Sequence, residues 1–179
     1  MRRVLKSLLL VGAVGALVAL SAVPASAGPV SGPNPIKNIG TNRCLQPQGG
    51  SAAEFAAVTA EPCNGSPQQQ WQYEKIRDNR YHLISSFSHL CLNVFGPTAT
   101  GTPILLVNCV TVSNEEFNTQ KALPDLVTLM SRAGNKDTNF CADIQSPVGA
   151  TLLLKPCGSV AALSQTFTVG LPVTTFARR

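Results

Sequence analysis

Six cysteines, Cys44, Cys63, Cys91, Cys109, Cys141 and Cys157, fall into two interleaved series, and their spacing constrains the fold more than any other feature. The first member of each pair stands at 44, 91 and 141, the second at 63, 109 and 157. A near-constant interval of this length marks three copies of one supersecondary unit. The segments ending at the second cysteines superpose without gaps: Phe55–Cys63 (FAAVTAEPC), Gly101–Cys109 (GTPILLVNC) and Gly149–Cys157 (GATLLLKPC). Val58, Ile104 and Leu152 form one apolar column, and Ala60, Leu106 and Leu154 form another two residues on. In a strand, residues two apart share a face, so these segments read as β.

A second matched element follows each pair: Gln69-Gln70-Trp71, Glu115-Glu116-Phe117 and Gln165-Thr166-Phe167. A long polar side chain stands two residues before an aromatic, on one face if the segment is a strand. The aromatic suits a core layer, and the polar group suits a hydrogen-bonded turn. Strand-like stretches Ile36–Ile39, Tyr81–Ile84 and Val127–Met130 precede the first cysteines. Between them lie turn-forming clusters such as Pro47–Gly50, Asn64–Pro67, Gly96-Pro97 and Ala133–Asn135. Many short strands with frequent turns predict an all-β domain. Asn64-Gly65-Ser66 fits a glycosylation sequon, but with Pro67 next it reads as a turn.

The N-terminus has the order of a secretory signal: Arg2, Arg3 and Lys6, an apolar run from Leu8 to Leu20, then Ala25-Ser26-Ala27. The run is shorter than the roughly 20 residues a bilayer span needs. Residues 1–27 are therefore expected to be removed, leaving a secreted chain with no membrane span. The expected plan is then a mobile Gly/Pro-rich lead-in over 28–35, one domain over 36–170 and a tail over 171–179. Export also places the cysteines in an oxidising compartment, where an even count reads as disulfides with 15 formal connectivities.

Charge needs correcting for the ends. Of 14 Lys+Arg, three leave with the signal and two are Arg178 and Arg179, so residues 28–177 carry nine bases against nine acids. That balance, with no basic cluster, argues against a nucleic-acid partner. His82 and His89 are the only histidines, and no cysteines stand at metal-ligand spacing, so neither a metal nor another cofactor is expected. Catalysis has no recognisable starting point either. The cysteines are committed to disulfides, no Gly-x-Ser-x-Gly occurs, and Glu115 and Glu116 would alternate faces on a strand.

Three repeats with paired cysteines, each closing on a Q-x-W-like element, resemble the ricin B-type lectin domain over nearly the whole chain after the signal. The resemblance implies a β-trefoil: a six-stranded barrel capped by a triplet of hairpins. Gln69, Trp71, Phe117 and Phe167 take the structural Q-x-W positions. Repeat symmetry then selects the intra-repeat disulfides Cys44–Cys63, Cys91–Cys109 and Cys141–Cys157.

The resemblance also implies sugar sites, at most one per repeat. Each combines an Asp two residues after the first cysteine, an aromatic two before the second, and an Asn ahead of the Q-x-W glutamine. This chain matches in part. The Asp position holds Gln46, Asn93 and Asp143; the aromatic position holds Glu61, Val107 and Lys155; the Asn position holds Gln68, Asn114 and Ser164. Asp143 with Gln165 makes the third repeat the expected carbohydrate site, and Asn93 with Asn114 makes the second the next candidate. Phe95 or Tyr73 could supply the missing aromatic from another loop. The expected function is a secreted, non-catalytic module for a glycan or polysaccharide. The alternative is a protein-binding trefoil with decayed sugar sites, resembling toxin binding subunits or trefoil protease inhibitors.

Overall fold

In a computed structural model, the described residues are 30–77, 79–123, 126–158 and 162–169. The expected signal segment and the C-terminal tail lie outside them. Thirteen strands account for the regular structure: β1 Val30–Pro35, β2 Lys37–Asn38, β3 Arg43–Pro47, β4 Val58–Glu61, β5 Gln70–Arg77, β6 Arg80–Ser85, β7 Cys91–Val94, β8 Ile104–Val107, β9 Phe117–Leu123, β10 Leu126–Ser131, β11 Phe140–Asp143, β12 Leu153–Pro156 and β13 Phe167–Thr168. Single 3-10 turns interrupt them, and among the described residues no helix is long and apolar enough to cross a membrane.

All the strand pairings are antiparallel. One path of neighbours runs β1-β5-β6-β9-β10-β13-β2. Its two ends, β1 and β2, are separated in sequence by Ile36 alone. The path therefore closes on itself as a barrel of six staves, with β1 and β2 as one interrupted stave. The hairpins β3–β4, β7–β8 and β11–β12 form the cap. This is the trefoil that the repeats imply.

The lead-in requires a correction. Val30–Pro35 was expected to be a mobile segment ahead of the domain, yet it pairs with β5 from Val30↔Glu74 to Pro35↔Gln70. Its Gly/Pro content reads as loop because local composition cannot show a partner some forty residues away. The register shifts between Ser31 and Asn34, which accommodates Gly32 and Pro33 within the pairing.

Threefold repetition is visible in the hydrogen bonds joining the hairpins. The backbone N–H groups of Ala60, Leu106 and Leu154 donate to the carbonyls of Ala150, Ala56 and Thr102 respectively. Those of Phe55, Gly101 and Gly149 donate to Leu106, Leu154 and Ala60. Each hairpin thus leans on the next, and none buries its apolar face alone. The core has the same symmetry. Leu45, Leu92 and Ala142; Val58, Ile104 and Leu152; Ala60, Leu106 and Leu154; and Trp71, Phe117 and Phe167 all have 0% exposure. Burying one of the larger of these side chains contributes about 1.5–3 kcal/mol, so the symmetric columns supply much of the driving force.

The disulfides are Cys44–Cys63, Cys91–Cys109 and Cys141–Cys157, with Cα separations of 5.0, 5.1 and 4.9 Å. Each ties the base of its own cap hairpin. Three such bonds point to an oxidising environment.

Candidate functional site

The polar residues of the Q-x-W-like elements do not share a strand face with their aromatics, in contrast to what the spacing implies. Gln69, Glu115 and Gln165 each end a 3-10 turn, Pro67–Gln69, Ser113–Glu115 and Leu163–Gln165, just before the strand that carries or begins with the aromatic. From there each reaches the turn after the second cysteine. Gln69 Oε1 accepts from Asn64 N–H at 2.8 Å and its Nε2 donates to Pro62 O at 2.9 Å. Gln165 repeats both bonds, with Gly158 N–H at 2.7 Å and Pro156 O at 3.0 Å. In the second repeat Glu115 Oε2 accepts from Val110 N–H at 3.0 Å, but a carboxylate has no proton for the carbonyl of Asn108. Its other oxygen accepts from Asn93 Nδ2 at 3.4 Å. Burial pushes the Glu115 carboxyl above the usual carboxylate range, against the opposing effects of the Val110 and Asn93 bonds and the charge of His82. Glu116 is engaged separately, its Oε2 lying 3.6 Å from Arg132 Nε, so the two glutamates form no acid–base pair.

The three equivalent sites differ in what they leave free. In the first, Gln69 Nε2 also donates to Gln46 Oε1 at 3.0 Å, and Thr59 Oγ1 donates to Glu61 at 3.1 Å. The polar groups there satisfy one another.

In the third repeat, Asp143 has only 4% exposure. Its Oδ2 accepts from Ser164 Oγ at 2.9 Å, and Oδ1 lies 3.8 Å from Lys155 Nζ. A cavity of about 240 Å³ is lined by Asp143, Gln145, Ala150, Thr151, Leu153 and Lys155. No aromatic borders it, Gln165 is not among its lining residues, and Lys155 stands where a ring would stack.

The second repeat has the larger cavity, about 460 Å³, with Asn93, Asn108, Asn114, Glu54 and Glu115 as its polar lining. Asn93 is buried beneath it, and Asn114 Nδ2 donates to Val94 O at 3.3 Å. The apolar lining includes Phe55, Phe95, Val107 and Val110. Phe55 and Phe95 are 54% and 50% exposed, with ring centroids 5.3 Å apart at 66°, an edge-to-face pair. Of the two aromatics considered from sequence, Phe95 borders this cavity, whereas Tyr73 is fully buried in the barrel wall.

Phe55 is the residue that sequence reasoning passed over. It belongs to the first repeat and reaches the second repeat's cavity because the cap hairpins lean on one another. Its φ of 65° is left-handed, and its equivalents Gly101 and Gly149 have φ of 89° and 77°. Glycine adopts this region without cost, whereas a residue with a Cβ loses roughly 1–2 kcal/mol there. The available signal was a bulky aromatic in a column otherwise filled by glycine. Among the described residues, no three His, Cys, Asp or Glu side chains gather as a metal site.

The family model for the ricin-type β-trefoil lectin domain-like group matches residues 31–107, which take in the first repeat and the second as far as the end of β8. Over those residues the chain is similar to ricin-type β-trefoil lectin domains. No curated protein matches the sequence. Solved structures with the same fold include a designed threefold-symmetric protein, ThreeFoil, at 17% identity and TM-score 0.68 over 75% of this chain and 94% of that one. The Macrolepiota procera ricin B-like lectin, solved with lactose, matches at 19% identity and TM-score 0.61 over 84% of this chain and 100% of that one. An exo-β-1,3-galactanase from Clostridium thermocellum matches at 15% identity and TM-score 0.66 over 82% of this chain, but over only 30% of the enzyme. At these identities the β-trefoil fold alone is what is shared.

Proposed function

We propose that this β-trefoil domain is a secreted, non-catalytic carbohydrate-binding module whose principal site lies in the second repeat. The observation that carries the reading is the exposed Phe55–Phe95 pair sharing one cavity with the amides of Asn93, Asn108 and Asn114. A pyranose has an apolar face, which an aromatic ring covers, and a fringe of hydroxyls, which amides can both donate to and accept from. In the third repeat Asp143 and Gln165 keep the family residue types, but Asp143 is neutralised by Lys155 and no ring is present. That site is read as weaker or structural. Two or three hydrogen bonds without a platform, as in the third repeat, give roughly millimolar binding. With one competent site per chain, a multivalent target such as a polysaccharide is favoured. Secretion rests on the leader and agrees with three disulfides; protein recovered from medium should begin at Gly28.

The test is retention on immobilised glycans of the wild-type protein, Phe95→Ala, Asn93→Ala and Asp143→Ala. The first two substitutions are expected to abolish retention and the third to preserve it. The opposite ranking would return the site to the third repeat. A protein-binding trefoil is the second reading, favoured by Val110, which lines the same cavity and is 55% exposed, and by Val112, two residues on and 43% exposed. Absence of any glycan ligand, together with capture of a protein partner that Val110→Asp prevents, would establish it instead.

A further inference from the structure

The charge of the second-repeat cavity is one-sided. Glu54 and Glu115 are its charged lining residues, and no Lys, Arg or His lines it. Glu54 is exposed at the rim, where its Oε1 accepts from Asn108 N–H at 3.1 Å. That bond holds the carboxylate in place, and its other oxygen has no protein partner among the described residues. Phe55, the next residue, and Phe95 turn aromatic surface toward the same space, and ring faces attract cations. The third repeat offers the contrast, since Lys155 there offsets Asp143.

Taking the glycan reading as its basis, we infer that the second-repeat cavity selects a sugar bearing a protonated amine, with the ammonium against Glu54 and the aromatic pair. The second oxygen of Glu54 accepts one ammonium N–H, and the rings cover the apolar face of the same sugar. N-acetylation removes the charge and enlarges the group, so an acetylated unit loses the ion pair with Glu54 and the cation–π attraction while its apolar face still meets the rings. General attraction of a cationic polymer does not account for such selectivity, because bases and acids balance at nine each over residues 28–177.

The experiment compares binding of hexamers of β-1,4-linked glucosamine and of its N-acetylated counterpart to the disulfide-intact protein by titration calorimetry. It is run at about pH 5.5, where primary amines are protonated and exposed carboxylates ionised. The amine form should bind about tenfold more tightly, as an exposed ion pair and a cation–π contact together allow. Glu54→Gln should collapse that ratio toward one, and Phe95→Ala should abolish binding of both hexamers. Equal or tighter binding of the acetylated form, still lost in Phe95→Ala, overturns the amine preference and leaves the glycan reading standing. Binding of neither hexamer, while neutral glycans are retained in a Phe95-dependent way, likewise removes only the amine preference. No Phe95-dependent retention of any glycan removes both. Polylysine bound as tightly as the amine hexamer, and unaffected by Phe95→Ala, reduces the effect to bulk charge and overturns the inference.

Discussion

Phe55 and Phe95 stand edge to face with ring centroids 5.3 Å apart, although one belongs to the first repeat and the other to the second. The backbone at Phe55 is left-handed, in a column that is glycine in the other repeats. Strain of this kind persists where the surroundings enforce it, and it is found at binding sites more often than in plain scaffold. With half of each ring open to solvent, core packing gives little reason for either aromatic.

Stability and binding should therefore part company at this position. Phe55→Gly relieves the left-handed penalty but enlarges the conformational freedom of the unfolded chain. The variant is expected within about 1 kcal/mol of the native protein and no less stable, while glycan retention is lost. Denaturant melts beside retention assays check this. A loss of several kcal/mol would make the Phe55 ring a structural element.

The disulfides should act as three similar and independent staples. Each closes a loop near the 15-residue case, with separations of 19, 18 and 16 residues. Converting any one pair to alanine should cost about 3 kcal/mol. Peptide mapping without reduction should find Cys44–Cys63, Cys91–Cys109 and Cys141–Cys157. A peptide linking two repeats would contradict the pairing.

Much of this architecture was legible because the chain states it three times. Val58, Ile104 and Leu152 are each ambiguous alone but become a core layer when aligned, and Trp71, Phe117 and Phe167 behave likewise. What stayed hidden depends on contacts between repeats. Val30–Pro35 looked like a loop because its partner β5 lies far along the chain. Asp143 stands out by its spacing as a sugar ligand, but spacing does not show that Ser164 and Lys155 lie against it. Phe95 and Tyr73 were indistinguishable as aromatics until the fold put one at a cavity and the other inside the barrel. Phe55 cannot be recognised within its own repeat, because the cap passes side chains from one repeat to the next.

Asp143 is expected to matter for stability rather than for affinity. It is buried, accepts a hydrogen bond from Ser164 and faces Lys155. Asp143→Ala strands both partners and should cost about 1–3 kcal/mol. Asp143→Asn keeps an acceptor for Ser164 and should cost less. Thermal melts of both variants test this, and loss of glycan binding in a fully folded Asp143→Asn would restore the third-repeat site.

Glu115 offers a test in which pH reports on a single hydrogen bond. Gln69 and Gln165 each accept one backbone N–H and donate to one backbone carbonyl, but ionised Glu115 can only accept. Burial raises its pKa above the ordinary value of 4.5, in spite of the Val110 and Asn93 bonds. The folded protein therefore holds this proton more tightly than the unfolded chain does. Its stabilising contribution is complete below the unfolded value and is lost as pH rises through the folded one. Glu115→Gln supplies the missing donor permanently and removes a buried charge. Near pH 8 the variant should be more stable than the native protein by about 1 kcal/mol, and the advantage should vanish below about pH 4. Urea unfolding at the two pH values measures the difference. A gain that is the same at both would mean that Glu115 titrates alike in the folded and unfolded states. A loss at pH 8 would mean that its second oxygen, through Asn93, is worth more than a bond to the carbonyl of Asn108.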